Sequence, residues 1–546
     1  KGKYIISNPN KDSKPVYDSK FSGFFPRMWS SSQEIHKKAY KKWSGKKSDK
    51  TPPTFSENLT YFIKYQIGHM YVRYFMWNFV GRQNDLQNVT GNSQHGNWIS
   101  GIDGFDEWRL NAPMEVPSDM QYNKARNTYY FLPLLLGLLG IFVMYKRSKM
   151  DFYTVLVLFL FTGLLVVIYL NQPPMEPRER DYTFAGSFQT FCIWIGLSVL
   201  FFVDVLKKYA NKTVIASGAT ILALFAAPFL MASQNWDDHD RSDRYLAISF
   251  AKNYLSSCEQ NAILFTNGDN DTYPLWYAQN VEGYRTDVRI INLSLLPTEW
   301  YSSALRHKVF DSEALPMSIP ADEMVSGKRD YVRFYDNKTF PQNQFYPLDQ
   351  VLSYATSNDD RKKEYISSRS EKDNYFPVKN FSLEVDKEAV IATGYIPAKD
   401  TGKIVDKMFW NIGRSGLSKG DLVVLDVIAT NAKTGWKRPI YWTTTTGSSV
   451  YLNLDKYLRH NGLTYQLIPV EASRNLRGMD DMDLLYKRLM VDYEWGNMDK
   501  GELFLDDKAQ LVPRNLRALF VQVADFYSRN GDMEKATALI DKCNSS

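Results

Sequence analysis

NQPPMEPRERDYTFAGS, residues 171–187, is a proline-broken, charge-dense stretch caught between two segments apolar enough to cross a bilayer. Arg178, Glu179, Arg180 and Asp181 therefore sit where the chain leaves and re-enters lipid. Ionisable groups at that boundary must be paired, hydrated or bound to something charged. One reading is a solvated turn rich in interfacial anchors. The other is a binding site for an anionic headgroup.

Working outward, apolar segments fall at about Thr128–Tyr145, Phe152–Leu170, Phe188–Leu206 and Thr213–Met231. Each approaches the ~20 residues a helix needs to cross ~30 Å of hydrocarbon, the first on the short side. Lys146, Arg147 and Lys149 follow the first, and Lys207, Lys208 and Lys212 follow the third, which marks those turns as cytoplasmic. The loop at 171–187 then faces outward, and an even number of spans puts residues 1–127 and 232–546 on the same outer side. This reading divides the chain into an outer segment (1–127), four membrane helices (128–231), an outer α/β domain (232–475) and a C-terminal helical region (476–546).

Composition agrees with a membrane part carrying large polar attachments. The 546 residues suffice for two to four domains, and 23% are charged, yet the apolar residues are bunched in one block. Aromatics at 15% fit interfacial belts and sugar-stacking surfaces alike. A formal charge of +6 is small for this size and lysines concentrate in Lys37–Lys50, so no nucleic acid is expected as a partner. Cys192, Cys258 and Cys543 are far apart and no CxxC or zinc spacing exists, so neither a disulfide framework nor a metal site is indicated. The chain starts at Lys1 with neither initiator Met nor signal peptide, and we expect it to be the later part of a longer polypeptide.

Aromatic islands at Phe21, Phe24, Phe25 and Trp29 are followed by the lysine run, read as a mobile polar linker, and a restart at Thr51-Pro52-Pro53. Ser56–Val80 has one helix breaker, Gly68, a capping Ser at its start and Gly81 after its end. Lys64, His69 and Arg73 argue against a clean span, whereas Tyr61, Tyr65, Tyr71, Tyr74 and Trp77 suit a helix at the interface or packed on the membrane domain. His69 reads more readily as a packing histidine than a catalytic one. Beyond it, Arg82 and Asp85 form a surface pair or, with Arg73, belong to the same polar site as Arg178–Asp181.

After Trp236 the pattern is that of a globular α/β domain. Ala262–Thr266 reads as a buried strand, Asn267–Asp271 as the turn at its carboxyl end, Pro274–Asn280 as a short helix and Val288–Leu293 as a second strand. Ligands gather outside the carboxyl ends of strands in open α/β sheets, which singles out Asn267, Asp269 and Asp271. Such a turn can hold a divalent cation, but Asp-rich turns more often satisfy local backbone donors, and no cofactor is firm. Tyr273 and Trp276 beside it offer stacking surface for an acceptor, or core. Val423–Ile428 and Pro439–Thr444 add strands around a turn at Asn431–Gly435. Arg514–Arg529 and Asp532–Cys543 form a helical hairpin like a single tetratricopeptide-type unit.

Four stretches carry a resemblance: Tyr65–Gln87, Gln172–Gly186, Leu264–Leu296 and Arg438–Trp442. Together they resemble the large bacterial membrane proteins long catalogued as a domain of unknown function, related to the animal transmembrane protein 260 O-mannosyltransferases. The resemblance implies a GT-C type glycosyltransferase in the bacterial inner membrane with large domains facing the periplasm. Such an enzyme takes a sugar, such as mannose, from a polyprenyl-phosphate carrier and transfers it to secreted or envelope proteins. Its usual catalytic carboxylate lies in a first outer loop that this chain does not contain, so no catalytic residue is assigned. Arginine suits a lipid phosphate because its planar fork makes bidentate contacts, which gives Arg178 and Arg180 the donor phosphate while Glu179 or Asp181 orients one of them. A non-catalytic membrane-anchored scaffold or binding protein of an envelope complex is the alternative. A transporter is less favoured, because the spans carry few ionisable groups besides Asp204. The implied partners are membrane lipid, the missing N-terminal part and other envelope proteins.

Overall fold

The computed structural model describes residues 24–25, 29, 33–48, 50–88, 91–174, 176, 178–366, 372–471, 481–500 and 503–545. They fall into two compact units, one within Pro15–Ser242 and Phe504–Pro513, the other within Asp243–Leu503 and Arg514–Ser546.

In the first unit the lysine run is more ordered than a linker. Helix α1 (Glu34–Ser44) spans most of it. Tyr40 stacks on Tyr61 with centroids 4.7 Å apart, and Trp43 lies 4.7 Å from His69. Tyr40 is buried and Trp43 half-buried while Lys38 and Lys42 are exposed, so a strongly basic composition concealed an amphipathic helix. Phe21 lies outside the described residues. Thr54 opens the next helix through a capping box with Glu57. This helix, α2 (55–79), carries a long π-helical insert at Phe62–Val72.

Three helices are long and apolar enough to cross a membrane, by length and composition, among the described residues: α4 (Lys149–Leu170), α5 (Asp181–Leu206) and α6 (Lys212–His239). The first expected span is instead the 16-residue α3 (Leu132–Arg147). At 1.5 Å per residue it is about 24 Å long, below the ~30 Å of a full crossing. It packs on α5 through glycines: a Cβ on Gly140 would lie 1.7 Å from the Trp194 carbonyl oxygen, and one on Gly137 would lie 2.1 Å from the Phe191 ring. Small residues permit such backbone approach where no water drives helices together. The α2 helix joins this bundle by its aromatics, Phe75 and Phe79 lying 4.9 Å and 4.5 Å from the Phe191 ring centroid. The expected loop to Ser187 is shorter than its proline content implied. Its last part, from Asp181, already forms the first turn of α5, where an acidic residue favours a helix start.

The second unit is α/β. Its largest sheet contains β1 (Ile263–Thr266), β2 (Arg289–Asn292), β3 (Ile440–Thr443), β4 (Leu458–His460) and β5 (Thr464–Leu467), in the order β4-β5-β3-β1-β2. The β3-β1-β2 portion is parallel and β5 and β4 add antiparallel edges. Between β1 and β2 runs α7 (Asp269–Asn280), followed after β2 by α8 (Glu299–Ala304). The α7 helix starts within the expected turn and includes Pro274. Asp269 and Asp271 sit in its first turn, where negative charge offsets the helix dipole, while Pro274 removes one backbone hydrogen bond. Smaller sheets of three and four strands complete the unit.

The strand expected at Val423–Ile428 is a helix, α9 (Lys419–Lys433), buried nearly all round. A helix without a wet face shows no amphipathic period, so its apolar run reads like a buried strand. Ser418 decides the outcome: it accepts from the Asp421 amide at 3.2 Å, and the Asp421 carboxylate accepts from the Ser418 amide at 2.9 Å. The chain closes with α10 (Leu511–Arg529) and α11 (Met533–Ser545), whose Leu516, Leu519, Phe520 and Leu539 join the core beneath β1.

Candidate functional site

The loop after α4 is held along the length of α2. Gln66 Nε2 donates to Asn171 Oδ1 at 2.7 Å, Tyr65 Oη donates to the Pro173 carbonyl at 2.9 Å, and Tyr71 Oη and Ser187 Oγ share a hydrogen bond at 2.5 Å. Gln87 Nε2 adds a bond to the Glu176 carbonyl at 2.6 Å.

At its centre Glu179 turns inward. Arg73 donates to both of its oxygens, Nη2 at 2.9 Å and Nη1 at 3.2 Å, the Asn88 amide donates at 3.0 Å, and the Tyr74 hydroxyl donates as well. Side-chain exposures of 5% for Arg73 and 15% for Glu179 make this a largely desolvated pair. Burial works to raise the Glu179 pKa, but the Arg73 charge and the donated hydrogen bonds outweigh it and hold the carboxyl below its ordinary value. The Arg73 guanidinium is itself gripped by the His69 and Gly96 carbonyls at 3.0 and 2.8 Å. It lies 4.7 Å from the Trp77 ring, which Arg82 covers at 4.3 Å.

Glu179 thus orients Arg73, whereas the sequence reading had it orient a loop arginine. Arg180 is paired instead with Glu176 at 2.8 Å, one turn-like step away. Arg178 is exposed, donates weakly to Tyr182 Oη at 3.4 Å, and has no carboxylate partner among the described residues. Asp181 accepts from the Tyr182 amide at 3.1 Å. Arg82 and Asp85 do not pair: Arg82 Nε donates to the Asn84 carbonyl, and Asp85 accepts from Asn123 Nδ2 at 2.8 Å and from the Asp507 amide at 3.0 Å. His69 Nε2 meets the Asn88 carbonyl at 2.7 Å, a packed histidine. Tyr74 and the Asn88 amide are the members that sequence reasoning missed. Tyr74 was one of several tyrosines on its helix, and a backbone amide leaves no mark in a sequence.

At the sheet, the carboxyl ends of β3, β1 and β2 present Thr443, Thr266 and Asn292, all buried. Asp271 accepts from Thr443 Oγ1 at 3.1 Å, Thr445 Oγ1 at 2.9 Å and the Asn267 amide at 3.2 Å. All three bonds go to Oδ2, and among the described residues no three His, Cys, Asp or Glu side chains converge as a metal site. Asn267 Oδ1 accepts from Ser294 Oγ at 2.9 Å, and Asp269 lies exposed in the first turn of α7. Tyr273 stacks on Trp276 at 5.6 Å; Tyr273 is exposed while Trp276 packs against both cores of the unit.

Residues 247–485 match the family model described as TMEM260-associated domain 2. Residues 1–63 match a family of unknown function, DUF8416. The mouse protein O-mannosyl-transferase TMEM260 is 26% identical over 159 residues, 27% of this chain and 22% of the mouse protein. Part of the chain is thus similar to TMEM260. No solved structure matches it. The TMEM260-associated domain contains β1, α7, β2, α9 and the rest of the five-stranded sheet, whereas the 171–187 loop and its Arg73–Glu179 anchor lie outside the matched residues. The aligned part thus spans about a fifth of TMEM260.

Proposed function

We propose that the protein is a membrane glycosyltransferase of GT-C type that takes a sugar from a polyprenyl-phosphate donor and transfers it to secreted or envelope proteins, with mannose as the sugar. The similarity to the mouse protein O-mannosyl-transferase supports the reaction class. The observation that carries the donor site is the division of charge in the loop: Glu179 is drawn onto Arg73, which leaves Arg178 with no carboxylate partner among the described residues. Arg178 and Arg180 then contact the donor phosphate. Negative charge builds on that phosphate as the glycosyl bond breaks, so a fixed cation stabilises the transition state more than the ground state. In this reading α3 is a fourth, short span, accommodated by local bilayer thinning, and the loop faces the periplasm across a bacterial inner membrane. The catalytic carboxylate is assigned to no residue of this chain.

Arg178→Ala and Arg180→Ala, assayed for transfer from a defined polyprenyl-linked sugar, are each expected to lose about 100-fold in turnover with expression intact. Unchanged turnover in both removes the loop from the mechanism.

A scaffold reading is favoured by one observation, the confinement of the TMEM260-associated match to residues 247–485. It predicts acceptor binding without sugar transfer.

A further inference from the structure

Arg289 opens the edge strand β2, and with 5% exposure it is among the most buried cations of the second unit. Its Nη2 donates to the carbonyls of His307, Glu313 and Ser312 at 2.6, 2.8 and 3.2 Å. The Nε is sealed from solvent with no hydrogen-bond partner. Nη1 likewise has no hydrogen bond to any described residue, yet it is not among the sealed atoms. Arg289 lines a cavity of ≈ 240 Å³ between α7, α8 and β2, together with Trp276, Tyr301, Ala304 and Phe310.

A second guanidinium reinforces the charge. Arg438, just before β3, donates to the Glu313 and Ala314 carbonyls at 3.1 and 3.2 Å, to Ser312 Oγ at 3.0 Å and to the Asn261 carbonyl at 3.0 Å. Of the carboxylates nearby, Glu313 is taken by Lys308 at 2.6 Å and Asp311 accepts from the Thr286 hydroxyl. Among the described residues, neither arginine has a carboxylate partner. Desolvation lowers both pKa values, that of Arg438 to about 10. Arg289 is a buried cation with its Nε unpartnered and no ion pair among the described residues, an arrangement that favours an anion in the adjoining space, because uncompensated buried charge is expensive.

We propose that this cavity binds a small ligand carrying a carboxylate or phosphate group on an apolar body, with Arg289 as the anion contact and Trp276 and Phe310 against the body. The volume is below the usual range for drug-sized ligands, so it suits a single small organic anion or one anionic group of a larger molecule. The site is independent of the 171–187 loop and of the glycosyltransferase reading.

The test is calorimetric titration of the full-length protein in detergent with phenyl phosphate, phenylacetate and, as a neutral control, benzyl alcohol. One or both anions should bind one-to-one, and whichever is tighter identifies the group. Benzyl alcohol should be weaker by about tenfold or more, the worth of one charge-assisted hydrogen bond. Arg289→Gln should weaken the anion by a similar factor. Because Arg289 also holds three carbonyls, Ala304→Phe is the second variant: it fills the cavity from its exposed rim and leaves those bonds in place. Loss of binding in a folded Ala304→Phe protein supports the site. Absence of binding by either anion, equal affinity for benzyl alcohol, or unaltered affinity in Ala304→Phe overturns it.

Discussion

Glu179 is stabilised in its charged form by four donated hydrogen bonds, so removing its charge leaves Arg73 desolvated and uncompensated. Glu179→Gln is expected to lower stability by about 3–5 kcal/mol, read as thermal unfolding in detergent. The pH dependence has a definite sign. The folded pKa is below that of the unfolded chain, about 4.3, so the pair contributes fully above that value and its contribution is lost as pH falls through the folded pKa. The stability gap between wild type and Glu179→Gln should therefore be constant near neutrality and close as the solution is acidified below about pH 4. At this scale the sequence was partly legible. A run of alternating signs at a membrane boundary marks a polar site, and Arg73 was readable as a possible member because it lies on a facing helix. Which acid pairs with which base was not readable, because Arg180 finds Glu176 at a spacing of four while Glu179 finds a residue more than a hundred positions away.

Among the elements, the close approach of α3 to α5 makes the sharpest claim. Gly140→Ala places a methyl into the Trp194 backbone and should cost about 1–3 kcal/mol or more through forced helix separation. Gly196→Ala on α5, where a Cβ meets nothing within 4 Å, should leave thermal stability unchanged and serves as the control. Hydrophobic runs of membrane length and the β1–α7–β2 unit were legible because lipid and sheet burial impose strong periodic or continuous apolar patterns. The α9 helix was not, since burial on every face erases the period that separates helix from strand. The α1 helix escaped notice for the opposite reason: lysines on its wet face dominate the composition while Tyr40 and Trp43 do the packing. Asp269 as the start of α7 was legible only through helix electrostatics, and Pro274 argued against it.

For the whole molecule, the account joins a set of apolar helices and an arginine-bearing loop to a TMEM260-associated α/β unit. The likeness to TMEM260 within residues 247–485 was visible in the motifs Leu264–Leu296 and Arg438–Trp442, whereas orientation in the membrane rests on loop lysines alone. The scaffold and enzyme readings share the same fold and part at sugar transfer. Transfer of radiolabelled mannose from a polyprenyl-phosphate carrier to a secreted acceptor protein, by the detergent-purified full-length protein, tests the central claim most directly. The account predicts label on the acceptor with wild type and about 100-fold less with Arg178→Ala. An acceptor that is bound but never labelled by the folded wild-type protein would contradict it.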